Sequence, residues 1–318
     1  MQTRSDRNPF FSVVVPLFRE EEHLEEVVTR IRQAIDPLQL SWELILVDDG
    51  SPDGTWQSIS RLSGMHSNLH GIRLSRNFGK EAALCAGLER ATGDAVVIMD
   101  GDLQHPPDLI PEMVGLWRDG GAEVVEAVKD DRGRESLLNR LGSRLFYAIL
   151  NLLAGYDLKD TSDFKLLDRR VVQAWLTMGE RNLFFRGMVA WLGFSRAEVR
   201  FCVPDRVAGT TGFSLFRLVR LAITAIASFS SISLHAVTLV GGIFLLFAAA
   251  LGVQTLVNKA SGEAVSGFTT VILLQLIIGS MVMISLGIIG EYIARIFKEV
   301  KQRPRYLISD ETDTTGDR

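Results

Sequence analysis

Two stretches of this chain limit what it can become. From Ile232 to Val257 no residue carries a formal charge when His235 is neutral, and Phe268 to Ile289 is likewise free of charge. Each exceeds the roughly 20 residues that cross a bilayer as a helix. A pair of buried core helices is the competing reading, but core helices are rarely so uniformly apolar over this length. Two spans bring the chain back to its starting side. The connecting segment "NKASGEAVSG" holds one Lys and one Glu, whereas the segment after the second stretch carries Arg295, Lys298, Lys301, Arg303 and Arg305. Such positive charge collects on cytoplasmic flanks. The expectation is an integral protein of the cytoplasmic (inner) membrane with two spans, both termini and the large N-terminal part facing the cytoplasm. The opening "MQTRSDRNPFF" is polar and lacks the apolar centre of a signal peptide.

Ahead of the spans, short β-branched runs alternate with helical stretches. "FSVVVP", "WELILVDD", "LHGIRLS", "AVVIMD" and "AEVVEAV" read as strands, with Glu20 to Ile35 and Glu81 to Ala91 among the helices between them. That alternation predicts an α/β domain with a mostly parallel sheet covered on both faces. Ligands of such sheets bind beyond the carboxyl ends of the strands. Here those ends are polar: "PLFRE", "DDGSPDGT", "SRNFGK" and "DGDLQ". With 318 residues and a net charge of -4, the chain has room for one large domain and a smaller one, and lacks the basic face that nucleic acid requires. Cys85 and Cys202 sit in apolar surroundings and read as buried, reduced thiols.

Past Val128 the pattern changes. "ESLLNRLGSRLFYAILNLLAGY" and "FSLFRLVRLAITAIA" carry basic residues opposite apolar stripes. Basic amphipathic helices beside a span lie in the interface; packing onto the sheet is the alternative. The division expected is a soluble domain over 1–212, an interfacial helix over 213–230, a two-helix membrane domain over 231–290 (spans about 232–257 and 268–289), and a basic then acidic tail over 291–318. The tail from Ser309, "SDETDTTGDR", reads as disordered.

The chemistry gathers at the strand ends. "DGDLQHPP" places Asp100 and Asp102 on a tight loop after a buried strand. Two carboxylates aimed into one space repel, and a hard divalent ion relieves them. Gln104 adds an amide oxygen, and His105 stands without the companions a zinc site needs. Asp48 and Asp49 end the second strand, where an acid can accept from a ribose hydroxyl or a base N–H; Asp53 fits a helix cap better. Glu20 either caps a helix or faces the ligand. In "RNFGK" a Gly admits close approach of the backbone, and Lys80 can meet phosphate or lie in solvent. There is no Walker loop and no G-x-G-x-x-G.

"VVVPLFRE", "ELILVDDGSPDGT", "LSRNFGKEAAL", "GDAVVIMDGDLQHPP" and "DTSDFKLLDRR" together resemble the polyprenyl-phosphate glycosyltransferases of glycosyltransferase family 2, and the two C-terminal spans resemble the bacterial bactoprenol branch. The resemblance implies a Rossmann-like GT-A fold, Mg2+ or Mn2+, a nucleotide-sugar donor (UDP-glucose preferred) and a polyprenyl phosphate acceptor. It implies inverting hexosyl transfer that serves later glycan or cell-envelope modification, with a downstream flippase and glycosyltransferase as further partners. By motif, Pro16, Leu17, Glu20, Asp48 and Asp49 would hold the nucleoside, with Lys80 beside them. Asp100 and Gly101 would meet the nucleotide, while Asp100, Asp102 and Gln104 hold metal and diphosphate. The late element R-x-x-G-x-S-K corresponds to "RVAGTTG": Arg206 and Gly209 match, Thr211 replaces Ser, and Gly212 stands where the lysine belongs. Arg206 is therefore the first choice for the acceptor phosphate, with Arg134, Arg217 and Arg220 as candidates. Asp102 and Arg206 count as catalytic. If a base acts, "GYDLKDTSDF" offers Asp157 first, then Asp160 and Asp163. A processive polysaccharide synthase would carry Q-x-x-R-W, which precedes none of Trp117, Trp175 or Trp191. A non-catalytic membrane scaffold that senses nucleotide-sugar is the other alternative. Gln254 and Gln275, with Gly241, Gly242, Gly279 and Gly287, suit helix contacts in a homo-oligomer or within one chain.

Overall fold

The computed structural model describes residues 10–102, 104–129, 163–179, 185–201, 232–262 and 267–312. These fall into two compact units: the residues up to Phe201 with 303–312, and the long helices between.

The first unit is built on β1 (Phe11–Leu17), whose run of Val13, Val14 and Val15 is buried on both sides. Continuous apolar strands of this kind belong at the centre of parallel sheets, because helices cover both faces. β1 pairs in parallel with β2 (Trp42–Asp48) and β4 (Ala95–Ile98), and β2 in turn with β3 (Leu69–Leu74). α1 (Leu24–Ile35), α2 (Thr55–Met65) and α4 (Ile110–Arg118) pack with Val13, Val15 and Leu17 on one face. α3 (Lys80–Arg90), α5 (Arg169–Thr177) and α6 (Phe185–Trp191) pack with Val14 and Val47 on the other. The α/β sheet, mostly parallel and covered twice, is thus as the sequence implies.

Three strands go beyond that reading. β5 (Val124–Lys129) falls on the expected "AEVVEAV", but β6 (Lys165–Asp168) slots antiparallel between it and β4. β7 (Arg196–Phe201) then pairs in parallel with β5 at one edge. At the opposite edge β8 (Ile308–Glu311) runs antiparallel to β3, giving the order β7-β5-β6-β4-β1-β2-β3-β8 among the described residues. The tail expected to be disordered from Ser309 is therefore ordered as far as Thr312. The Thr312 N–H donates to Gly71 O at 3.0 Å, and the Gly71 N–H donates to Thr312 Oγ1 at 2.8 Å. Arg305 and Tyr306 add bonds to Met178 O, Cys85 Sγ and Glu89. An exposed edge has a row of unpaired backbone groups, and that unmet demand holds a polar tail in place. Cys85 is buried and free, as expected.

The second unit holds α7 (Ile232–Ala260) and α8 (Phe268–Val300). Among the described residues one helix contains a stretch long and apolar enough to cross a membrane, Ile277–Ala294 in α8; α7 carries the shorter apolar stretch Gly241–Gln254. Large apolar side chains such as Leu246, Met283 and Ile284 are exposed along both. The helices expected at 135–156 and 213–227 lie outside the described residues.

Candidate active site

The carboxyl ends of β1, β2 and β4 and the start of α3 open into one cleft of about 320 Å3. β1 contributes Pro16 and Leu17, followed by Phe18 and Glu20. Asp49 follows β2, while Asn77 and Gly79 come from the segment leading into α3 and Lys80 and Ala83 from its first turn. Asp100, Gly101 and Asp102 follow β4. A larger surface cleft between α1 and α2, about 560 Å3, has no strand end in it, and its Glu25, Arg61, Arg32 and Asp36 are already paired with one another.

The loop after β4 behaves as its sequence suggests. Asp100 and Asp102 both reach the cleft, with Gly101 between them. A Cβ on Gly101 would lie 2.5 Å from Leu17 Cδ2, so any larger residue there would have to displace the end of that side chain. Asp100 Oδ1 meets Lys80 Nζ at 2.5 Å, and the Asp100 N–H donates to His105 Nδ1 at 3.3 Å. Burial pushes His105 below its ordinary value, so the ring is a neutral acceptor that buttresses the loop and stacks on Phe164. The Gln104 N–H donates to Asp102 Oδ1 at 3.1 Å. Gln104, expected as a third metal donor, does not line the cleft.

Glu20 settles one open alternative. His23 occupies the cap position of α1, no side chain caps that helix, and Glu20 lines the cleft instead. Its carboxyl is pushed up by burial and then by the charge of Asp102, with Asp53 and Asp100 adding to the rise. Glu20, Asp100 and Asp102 thus bring three carboxylates to one cleft beside a single lysine, Lys80. Hard oxygen donors gathered in this way fit a divalent cation. Among the described residues no group of three or more His, Cys, Asp or Glu is arranged to hold a metal alone. Hard oxygen donors of this kind suit an ion such as Mg2+ or Mn2+, and Asp100 and Asp102 are the residues that would hold it.

The two acids after β2 part company. Asp49 accepts from the Phe78 N–H at 2.7 Å and the Gly79 N–H at 2.8 Å, fixing the loop that starts α3. Burial raises its pKa while those two bonds pull it down. Asp48 points the other way and is 0% exposed; it accepts from the Ser51 N–H at 2.9 Å and faces Arg73 at 3.5 Å. It does not line the cleft. Asp53, expected as a helix cap, accepts from Thr55 Oγ1 at 2.7 Å, but the cap position of α2 is Gly54 and no side chain caps that helix.

Sequence reasoning missed how Lys80 is held. Its Nζ also meets Asp163 Oδ2 at 2.6 Å, and Arg186 grips the same carboxylate from Nε at 2.5 Å and Nη2 at 2.8 Å. Burial lowers the pKa of Lys80, but Asp163 and Asp100 more than restore it. Burial likewise raises Asp163, yet Arg186 and Lys80 hold it well below the usual carboxylate range. An acid so ionised and so fully occupied is unsuited to accept a proton, which removes Asp163 from the candidate bases. Next to Lys80, burial pushes the Glu81 carboxyl up to about 7 while it accepts from the Phe185 N–H at 3.0 Å. Phe18, Asn77 and Ala83 also line the cleft without having been singled out. Asp157, Asp160, Arg134, Arg206, Arg217 and Arg220 lie outside the described residues.

Known proteins bear on this geometry. The model of the glycosyl transferase family 2 matches residues 12–176. A bactoprenol glucosyl transferase of Shigella phage SfII is 36% identical over 302 residues, spanning 93% of this chain and 96% of its own. A prophage bactoprenol glucosyl transferase homolog of Escherichia coli is 35% identical over 299 residues, spanning 93% and 97%. Among solved structures, a mannosyltransferase from Pyrobaculum calidifontis aligns over 89% of this chain and 88% of its own at 20% identity, with a TM-score of 0.47. With the family's model covering six of the eight strands and the Asp100 loop, and with relatives matched nearly end to end, this chain belongs to glycosyl transferase family 2 and is a glycosyltransferase with a GT-A-like α/β domain.

Proposed function

We propose that the protein transfers glucose from UDP-glucose to a polyprenyl phosphate at the cytoplasmic face of the membrane. The observation that carries this reading is the strand-end cleft. Asp100, Asp102 and Lys80 meet there, in a chain whose near full-length relatives include bactoprenol glucosyl transferases.

Departure of the nucleoside diphosphate from the sugar's anomeric carbon builds negative charge. Lys80 sits where it can take up part of that charge. A bound Mg2+ or Mn2+, held by Asp100 and Asp102, supplies Lewis-acid charge to the same leaving group. The acceptor is a phosphate monoester whose second pKa is about 6, so it is largely dianionic at neutral pH. Its oxygen forms the new bond to the anomeric carbon as the bond to the diphosphate breaks. Attack from the face opposite the leaving group inverts the configuration. Such a nucleophile needs placement more than activation. Arg206, with Arg134, Arg217 and Arg220, would hold it against repulsion from the diphosphate, and Asp157 is the base if one acts.

The lipid cannot leave the bilayer cheaply, at ~0.8 kcal/mol per buried CH2, so the enzyme must come to it. α7 and α8 are the two spans in this reading. The charge-free run over 232–257 reaches roughly 39 Å as a helix, against a hydrocarbon core of about 30 Å. Gln254 and Gln275, with Gly241, Gly242, Gly279 and Gly287, favour a homo-oligomer, and a flippase and a second glycosyltransferase would use the product. The test is the full-length protein in detergent with UDP-glucose, Mg2+ and polyprenyl phosphate, reading UDP release and the mass of the lipid product. Asp102→Ala should lose at least about 100-fold in turnover. Wild-type turnover by the Ala variant would refute the site, and a panel of nucleotide-sugars in which UDP-glucose is inert would refute the donor.

A further inference from the structure

Lys80 Nζ lies 2.5 Å from Asp100 Oδ1 and 2.6 Å from Asp163 Oδ2, so one ammonium bridges an acid of the cleft and an acid of the fold. From this juxtaposition, and resting on the reading above, we propose that Lys80 is an exchangeable counter-ion. It occupies Asp100 in the empty enzyme and gives that carboxylate up when a divalent ion and a diphosphate enter together. Asp163, fixed by Arg186, keeps it beside the cleft throughout as a positioning residue.

The charges explain why the two ligands must arrive together. Asp100, Lys80, Asp163 and Arg186 form a balanced set, two negative and two positive. A divalent ion alone would add positive charge next to an ammonium already on its ligand, a repulsion that is strong at these separations. A diphosphate alone would face Asp100, Asp102 and Glu20. Entering together, the pair is nearly neutral, and the displaced ammonium gains phosphate oxygens in exchange for Asp100. An ammonium has three donors, so it can turn from one acceptor to another without leaving Asp163. The bidentate grip of Arg186 gives Asp163 a fixed orientation, so the pivot does not move with the load. Metal and nucleotide then strengthen each other's binding by the same factor, as linkage requires.

Binding of Mn2+ to the full-length protein in detergent, followed by electron paramagnetic resonance with and without UDP, tests this without any turnover. In the wild type, UDP should tighten Mn2+ by about tenfold or more. In Lys80→Gln, Mn2+ alone should bind at least about fivefold tighter than in the wild type, and the UDP effect should shrink. Asp163→Asn should act in the opposite sense, because Lys80 then rests on Asp100 alone and Mn2+ alone binds more weakly. Lys80→Arg, which keeps the charge, should retain the UDP effect. Opposite signs at two contacting positions are not what general loosening of the site produces. Equal Mn2+ affinity in wild type and Lys80→Gln, with an unchanged UDP effect, would overturn the exchange and leave the metal reading intact. Failure of the wild type to bind Mn2+ even with UDP would overturn both.

Discussion

Lys165 and Glu126 face each other across β6 and β5, with Nζ and Oε1 2.5 Å apart and the lysine 0% exposed. Burial pushes the lysine's pKa down and Glu126 pulls against it. Two charges taken out of water cost more to leave unmatched than they gain when matched. Lys165→Met strands a buried carboxylate and should cost about 3–5 kcal/mol. Replacing both, with Glu126→Leu and Lys165→Met, removes the need for a partner and should return stability to within about 1 kcal/mol of wild type or above it. At 2–4 °C per kcal/mol for a domain of this size, the single variant should melt about 6–20 °C lower. Tryptophan fluorescence of the full chain in detergent reads this directly, since Trp117 and Trp175 are buried in the two cores. If the double variant is as unstable as the single one, lost packing rather than a lone charge is responsible, and the reasoning fails.

Glu81 has a pKa raised from 4.5 to about 7 by burial. A raised folded-state value means that its contribution to stability is complete below about pH 4.5 and is lost as pH climbs through 7, about 3 kcal/mol in all. Glu81→Gln keeps an acceptor for the Phe185 N–H, so it should match wild type at pH 5 and melt higher at pH 8; parallel melting-versus-pH curves would refute this. Truncation after Arg305 removes β8 and the partners of the Gly71 and Ser75 amides. Hydrogen exchange in the peptide over 69–75 should quicken at least about tenfold, with the central strand β2 unchanged and aggregation increased. Unaltered exchange there would show that the edge does not depend on the tail.

Sequence alone determined the parts whose physics is local. β-branched runs with turns between them gave the five strands first read, because a strand buried on both faces must be apolar throughout. The Asp100 loop was legible because a buried strand ending in two acids leaves them few places to point but outward, past the sheet. Alternation along a strand also requires Asp48 and Asp49 to face opposite ways, yet which of them meets the cleft depends on the covering of each face. What only the tertiary structure decided lies in pairs remote along the chain. Asp163 comes to Lys80 from 83 residues away, and Thr312 to Gly71 from 241. Nothing local in "SDETDT" foretells a strand; the open edge of β3 supplies the hydrogen-bonding demand. The same holds for Lys165 and Glu126, two charges in apolar strands whose burial is tolerated because antiparallel register sets each opposite the other.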